Sequence, residues 1–209
     1  MNHEPANRPP RDITPSRFFI DWLPREFANE FGAGKRAAAD ITVAIALDGE
    51  DGGEWVLDVK GGTLSVRRAG EPGPQPMVSL WQSVQDWRAL AVGEDGANVD
   101  LAPPQASALD VLFVDPQSRQ IMSAVKGLVR FEVTGYNGRT WSMRVKFGTA
   151  SDRSEPDATI TIDAETYANI LARKLAPPEA YFSGKIQLRG DTSLAMQLAM
   201  AMLPRFTQK

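Results

Sequence analysis

No cysteine occurs in the 209 residues, so disulfides, thiolate catalysis and cysteine-based metal sites are excluded. The single histidine, His3, stands in a proline-rich stretch at the start. A Ser-His-Asp relay therefore has no suitable histidine. A metal site would be confined to oxygen ligands, and no EF-hand spacing is present. We expect no catalytic residue, no metal and no cofactor, and read the chain as not an enzyme. Excess positive charge is lacking too. The net charge is −3 and the isoelectric point near 5.3, which gives no electrostatic case for nucleic acid. No apolar run reaches spanning length and no N-terminal signal pattern is found. The ending Phe206–Lys209 is not the peroxisomal Ser-Lys-Leu address. Stable membrane insertion is not expected, and a cytoplasmic location is the default.

What is present is ample core material, with 43% hydrophobic residues. Residues 1–15 carry Pro5, Pro9, Pro10 and Pro15 among polar residues and read as a mobile leader. Ser16 can cap a helix through Phe31, in which Phe18, Phe19, Trp22, Leu23, Phe27 and Phe31 fall near helical spacing. Pro24 kinks or restarts it. The stripe is either core or a face for a membrane or partner; Asp21, Glu26 and Glu30 argue against a membrane face. Gly32-Ala33-Gly34-Lys35 lacks the spacing of a phosphate loop and reads as a helix stop.

Alternation then marks strands: Ile41, Val43, Ile45 and Leu47; Trp55, Leu57 and Val59; Leu64 and Val66; Val78 and Leu80. The acidic turn Gly49 to Glu54 is a solvated hairpin tip rather than a cation loop. A helix over Ser83 to Ala91 presents Val84, Trp87 and Leu90. Short strands joined by short turns predict an antiparallel meander.

The plan then restarts. A helix is predicted over 115–127, after an apolar run of Leu109, Val111, Leu112, Phe113 and Val114. Val129, Phe131 and Val133 lead through Tyr136-Asn137-Gly138, a strong hairpin signal, to Trp141, Met143, Val145 and Phe147. Pro156 to Leu171 supplies a strand and a helix. Each half thus has a helix, a hairpin whose second strand opens with a tryptophan (Trp55, Trp141), a loop ending in proline (Pro76, Pro156), a strand, and a helix bearing an aromatic (Trp87, Tyr167). This reads as a degenerate internal duplication, against chance likeness of two generic meanders. The first half has nothing matching Ala180 to Asp191, and the second has no clear counterpart of Leu64 to Val66. One possibility is that the halves complete one another. The divisions are a leader (1–15), a first half (16–114) and a second half (115–209).

The chain ends in a half-buried strand, Lys185 to Arg189, a break at Gly190-Asp191, and an apolar helix to about Leu203, stopped by Pro204. Asp191 or Thr192 can cap it. About 12 residues rise only ~18 Å against a ~30 Å hydrocarbon core, so this helix covers something rather than spanning. The helix is either plain core or the closure of a cavity for an apolar ligand.

Pro156-Asp157-Ala158-Thr159-Ile160-Thr161-Ile162, Phe182-Ser183-Gly184-Lys185-Ile186 and Arg189-Gly190-Asp191-Thr192, in that order before the apolar helix, resemble the sterol carrier protein type 2 (sterol-binding) family. The resemblance is clearest over 156–203, with a degenerate second copy suggested in 16–93. It implies an α+β fold, mainly antiparallel sheet covered by helices, with an apolar tunnel. It also implies binding or carriage of a fatty-acyl or sterol-like molecule without catalysis. The lining expected is Trp141, Val145, Ile160, Ile162, Ile170, Leu171, Phe182, Leu194, Met196, Leu198 and Met202. Lys185 and Arg189 would meet a charged head group, or form a solvated strand face. The alternative is an accessory module that contacts a protein partner with its cavity filled. Asp157, Asp163, Glu165 and Asp191 read as strand-end and helix-cap carboxylates rather than as a catalytic pair.

Overall fold

The structure is a computed structural model that describes residues 8–31, 40–94, 96–101, 123, 125–148 and 155–198. The Gly32–Lys35 stop, the apolar run 109–114, most of the predicted 115–127 helix, Met202 and the end of the last helix lie outside them; of that predicted helix, Val125 and Lys126 are not helical and Gly127 already opens a strand.

The fold is α+β. One sheet of eight strands runs through the described residues in the order β3-β2-β1-β4-β6-β5-β7-β8. The strands are β1 (Ile41–Asp48), β2 (Gly53–Lys60), β3 (Thr63–Arg68), β4 (Val78–Ser83), β5 (Gly127–Tyr136), β6 (Arg139–Phe147), β7 (Ala158–Asp163) and β8 (Ile186–Gly190). The helices are α1 (Pro15–Arg17), a π-helical turn Phe18–Trp22, α2 (Leu23–Phe31), α3 (Val84–Ala91), α4 (Ala164–Leu171) and α5 (Pro177–Phe182), with a further helical stretch at 192–198.

The predicted meander needs one correction. β4 does not follow β3 at the sheet edge; it pairs in parallel with β1, and β7 pairs in parallel with β5. In both cases the strand enters after a loop long enough to carry the chain past the hairpin, as a parallel neighbour requires. Residues 8–14 also depart from the mobile leader. Arg88 donates to the carbonyls of Ile13 (2.8 Å) and Arg11, and Ile13 is buried in the core. The first helix is capped by Thr14 rather than Ser16: the Thr14 hydroxyl accepts the Arg17 N–H at 3.3 Å. The π turn precedes Pro24, with the Leu23 N–H donating to the Phe18 carbonyl.

The same order occurs twice. A hairpin (β1-β2, β5-β6) is followed by a strand parallel to its first member (β4, β7). A helix then starts at a side-chain cap. Ser83 accepts the Asp86 N–H at 3.0 Å, and Asp163 accepts the Thr166 N–H at 2.8 Å. Four residues beyond each cap stands the aromatic, Trp87 or Tyr167. The halves meet where β4 pairs antiparallel with β6, Val78 facing Phe147 and Trp81 facing Arg144.

Candidate functional site

Strand register decides which side chains share a face. In the second hairpin a regular two-residue turn would pair Tyr136 with Arg139 and then Thr134 with Trp141. That would put the apolar residues of β5 and β6 on opposite faces. The register instead shifts between Val133 and Tyr136, where Gly135 has φ 74. This bulge sets Val133 opposite Trp141, Phe131 opposite Met143 and Val129 opposite Val145. A one-residue slip is tolerated because it reunites the apolar sets on the core side.

Pairing continues across β7 and β8: Phe131 faces Ile160, which faces Leu188; Val133 faces Ile162, which faces Ile186. Met143, Phe131, Ile160 and Leu188 thus form a transverse row roughly 14 Å long at ordinary strand spacing. All four are only half-buried, as are Ile162 and Ile186 beside them. The rows to either side differ. Val145, Val129 and Ala158 lie beneath the 192–198 helix, in one cluster with Leu194, Ala195 and Leu198. Val133 and Trp141 belong to a second cluster with Ala89, Leu101 and Ala164. Phe131 and Met143 touch both clusters. The strip is the gap between two cores.

Both ends of the gap are held by polar bonds. At one end Asp191 caps the last helix, its carboxylate accepting the Leu194 N–H at 3.0 Å. Its own N–H donates to the Asp157 carbonyl at 2.8 Å. Gly190 is obligatory here: its φ is 80, and a Cβ would lie 2.2 Å from the Asp157 oxygen. At the other end Asp86 of α3 grips β6. It pairs with Arg139, accepts the Ser142 N–H at 3.4 Å, and offers its carbonyl to the Trp141 indole N–H at 2.8 Å. Arg139 also meets Glu94 at 3.2 Å and lies over the Tyr136 ring. Burial, then Glu94, pushes the Tyr136 hydroxyl up to about 12. Burial, then Asp100, does the same to Tyr167, which donates to the Leu101 carbonyl at 2.7 Å.

Of the lining residues predicted, Ile160, Ile162 and Leu171 are half-buried and Val145, Ile170, Leu194 and Leu198 are buried. Trp141 is buried with its indole bonded to α3. Phe182 is 83% exposed and Met196 44% exposed, which sets both outside the strip. Lys185 is exposed at the start of β8, and the alternation of β8 turns Arg189 away from Ile186 and Leu188. Arg189 thus points to the face opposite the strip, as a solvated strand residue does. The strip also holds Phe131, Met143, Ile186 and Leu188, which the sequence reading did not count among the lining. Gly135 was the available signal for the first two.

Among the described residues no group of acids and histidines could hold a metal ion, and no helix is long and apolar enough to cross a membrane.

The model of the SCP-2 sterol transfer family matches residues 107–202. Hydroxysteroid dehydrogenase-like protein 2 of Bos taurus is 29% identical over 112 residues, 48% of this chain and 26% of that protein. Sterol carrier protein 2 of Homo sapiens is 29% identical over 92 residues, 41% of this chain and 17% of that protein. The solution structure of sterol carrier protein domain 2 of Helicoverpa armigera is 26% identical with a TM-score of 0.35, covering 44% of this chain and 77% of that one. The chain spans about a quarter of the length of the dehydrogenase-like relatives. Their name corrects the expectation that the chain is not an enzyme: an exclusion of enzymatic work does not follow from this sequence.

Proposed function

We infer that the second half binds a sterol-like or fatty-acyl molecule on the strip between its two cores, a reading supported by the match of residues 107–202 to the model of the SCP-2 sterol transfer family. The observation that carries this reading is the half-buried row Met143–Phe131–Ile160–Leu188, flanked by buried Val145, Val129 and Ala158 on one side and by buried Trp141 and Val133 on the other. Apolar burial at ~25 cal/mol per Å² is the driving force. The ligand lies along the row, beside the 192–198 helix. It enters at the β8 edge of the sheet, past half-buried Ile186 and Leu188. Ile160, Ile162 and Leu171 line it, and Leu194 and Leu198 back it.

The repeated order of elements supports reading residues 16–93 as a degenerate copy of the same unit. In such a pair each half lacks one strand. β4 takes the place beside β6 that β3 holds beside β2, and β6 takes the place beside β4 that β8 holds beside β7. The exposed Phe182 and Met196 favour, as a second reading, contact with a protein partner in place of ligand carriage.

Native mass spectrometry of the purified protein, with organic extraction, tests the first reading. A lipid at one per chain, displaced in a Phe131→Trp variant that fills the row, is the expected result. No extractable lipid, together with no displacement of a fluorescent fatty acid by sterols or fatty acids, overturns it in favour of the partner reading.

A further inference from the structure

The sheet face opposite the apolar strip bears a second transverse row. Trp81 faces Arg144, Arg144 faces Arg130, Arg130 faces Thr159, and Thr159 faces Arg189. Five strands bring these residues into one line, roughly 19 Å long at ordinary strand spacing. Two arginines directly opposite one another destabilise a sheet. The acid in the neighbouring row is Glu132, which accepts from Thr161 at 3.1 Å and reaches Arg130 only at 4.0 Å. The guanidinium of Arg144 lies 5.9 Å from the Trp81 ring centre. Arg189 is exposed, and the Arg130 side chain is 39% exposed.

We propose that this row docks the protein, from one side of the sheet, onto a bilayer surface that contains anionic phospholipid. Arginine forks suit the phosphates of head groups, and tryptophan prefers the boundary between head groups and chains. In a chain of net charge −3, cations gathered on one face also orient the molecule toward a negative surface. A single-stranded nucleic acid fits less well. Sequence-tolerant strand binding uses several vacant aromatic faces, whereas the row holds one aromatic, whose ring already carries Arg144. The proposal does not depend on the apolar strip being loaded.

Fluorescence isolates the face. Trp22, Trp55, Trp87 and Trp141 are buried, and Trp81 is half-buried. The full chain is mixed with vesicles of phosphatidylcholine alone, or of phosphatidylcholine with an equal part of phosphatidylglycerol, each also made with brominated chains. The expected result is binding to the mixed vesicles alone, weakened by salt. Brominated quenching should vanish in Trp81→Phe. Each cation near an anionic surface contributes about five-fold in affinity, so Arg130→Gln with Arg144→Gln weakens binding about 25-fold. Arg189→Gln alone weakens it about five-fold. The double variant removes facing like charges, so its melting temperature stays at or above that of the parent. Vesicle binding without quenching of Trp81, equal binding by the double variant and by Arg189→Gln, or preference for polyuridylate over the mixed vesicles would each overturn the proposal.

Discussion

The two halves share a frame and differ in what lies over it. In the first, Val43, Leu57 and Val78 are fully buried beneath Phe18, Phe19, Trp22, Phe27 and Phe31. Phe18 and Phe19 meet edge to face at 5.0 Å, and Phe19 stacks on Trp55 at 4.6 Å. Trp87, four residues past the cap of α3, packs on Phe18 at 5.2 Å. In the second half the equivalent aromatic, Tyr167, turns its hydroxyl to the Leu101 carbonyl. Among the described residues no comparable stripe covers Phe131 and Met143, which are half-buried. Among the described residues, aromatic side chains finish the first half's sheet face and leave the second half's partly covered, and a partly covered apolar face is where a ligand gains most.

The sharpest way to break this contrast is to truncate each half. Trp55→Ala removes a buried, stacked ring and is expected to cost about 3–5 kcal/mol. Phe131→Ala removes a half-buried ring and should cost about 1 kcal/mol by its smaller area loss, while weakening lipid binding. Urea unfolding measures both. Equal costs would mean that the second half is as finished as the first.

Alkali should strike the second half first. Tyr136 and Tyr167 both titrate near 12 instead of 10. A folded state that holds its protons more tightly is stable below pH 10 and loses that advantage as pH rises toward 12. Each tyrosine accounts for on the order of 2 kcal/mol over that range. Tyr167→Phe should flatten the alkaline loss of stability, and an unchanged slope would remove Tyr167 from the account.

Gly190→Ala tests the hinge of the last helix. A side chain at φ 80, driven into the Asp157 carbonyl, should cost about 1–3 kcal/mol. Because the strain falls where the 192–198 helix departs, fatty-acid probe affinity should drop as well, a loss that Phe131→Ala shares and Trp55→Ala does not.

Much of this frame was legible in the residues. Alternation gave the strands, Asn137-Gly138 the second hairpin, and Asp163 and Asp191 their caps. The order of motifs from Pro156 onward pointed to the family. Three features were hidden for physical reasons. The pairing of β4 with β6 joins residues as far apart as Val78 and Phe147, and long-range pairing leaves no local pattern. The parallel placement of β4 depends on a loop whose path the sequence does not encode by period. The bulge at Gly135 changes the register by one, so the facing of Phe131 and Met143 cannot be had from alternation alone. At the site, residues chosen for apolarity were mostly core or surface, because a half-buried position has the same composition as a buried one.

The two caps provide the finest comparison, since Ser83 and Asp163 do the same work at equivalent places with different chemistry. Burial pushes the Asp163 carboxyl up, but the hydroxyl and N–H of Thr166 outweigh it and hold the group below its ordinary 3.8. A carboxyl depressed on folding stabilises above its unfolded value and loses that contribution as pH falls through its folded one. Ser83 does not titrate. At neutral pH, Ser83→Ala and Asp163→Ala should each cost about 1 kcal/mol. On acidification below 3.8 the deficit of Asp163→Ala relative to the parent should shrink, because the parent loses the charged cap too, while the deficit of Ser83→Ala stays constant. Thermal melts of the three proteins across that range decide it: parallel curves would mean that the Asp163 cap acts as a neutral acceptor, and that the two halves begin their helices in the same way after all.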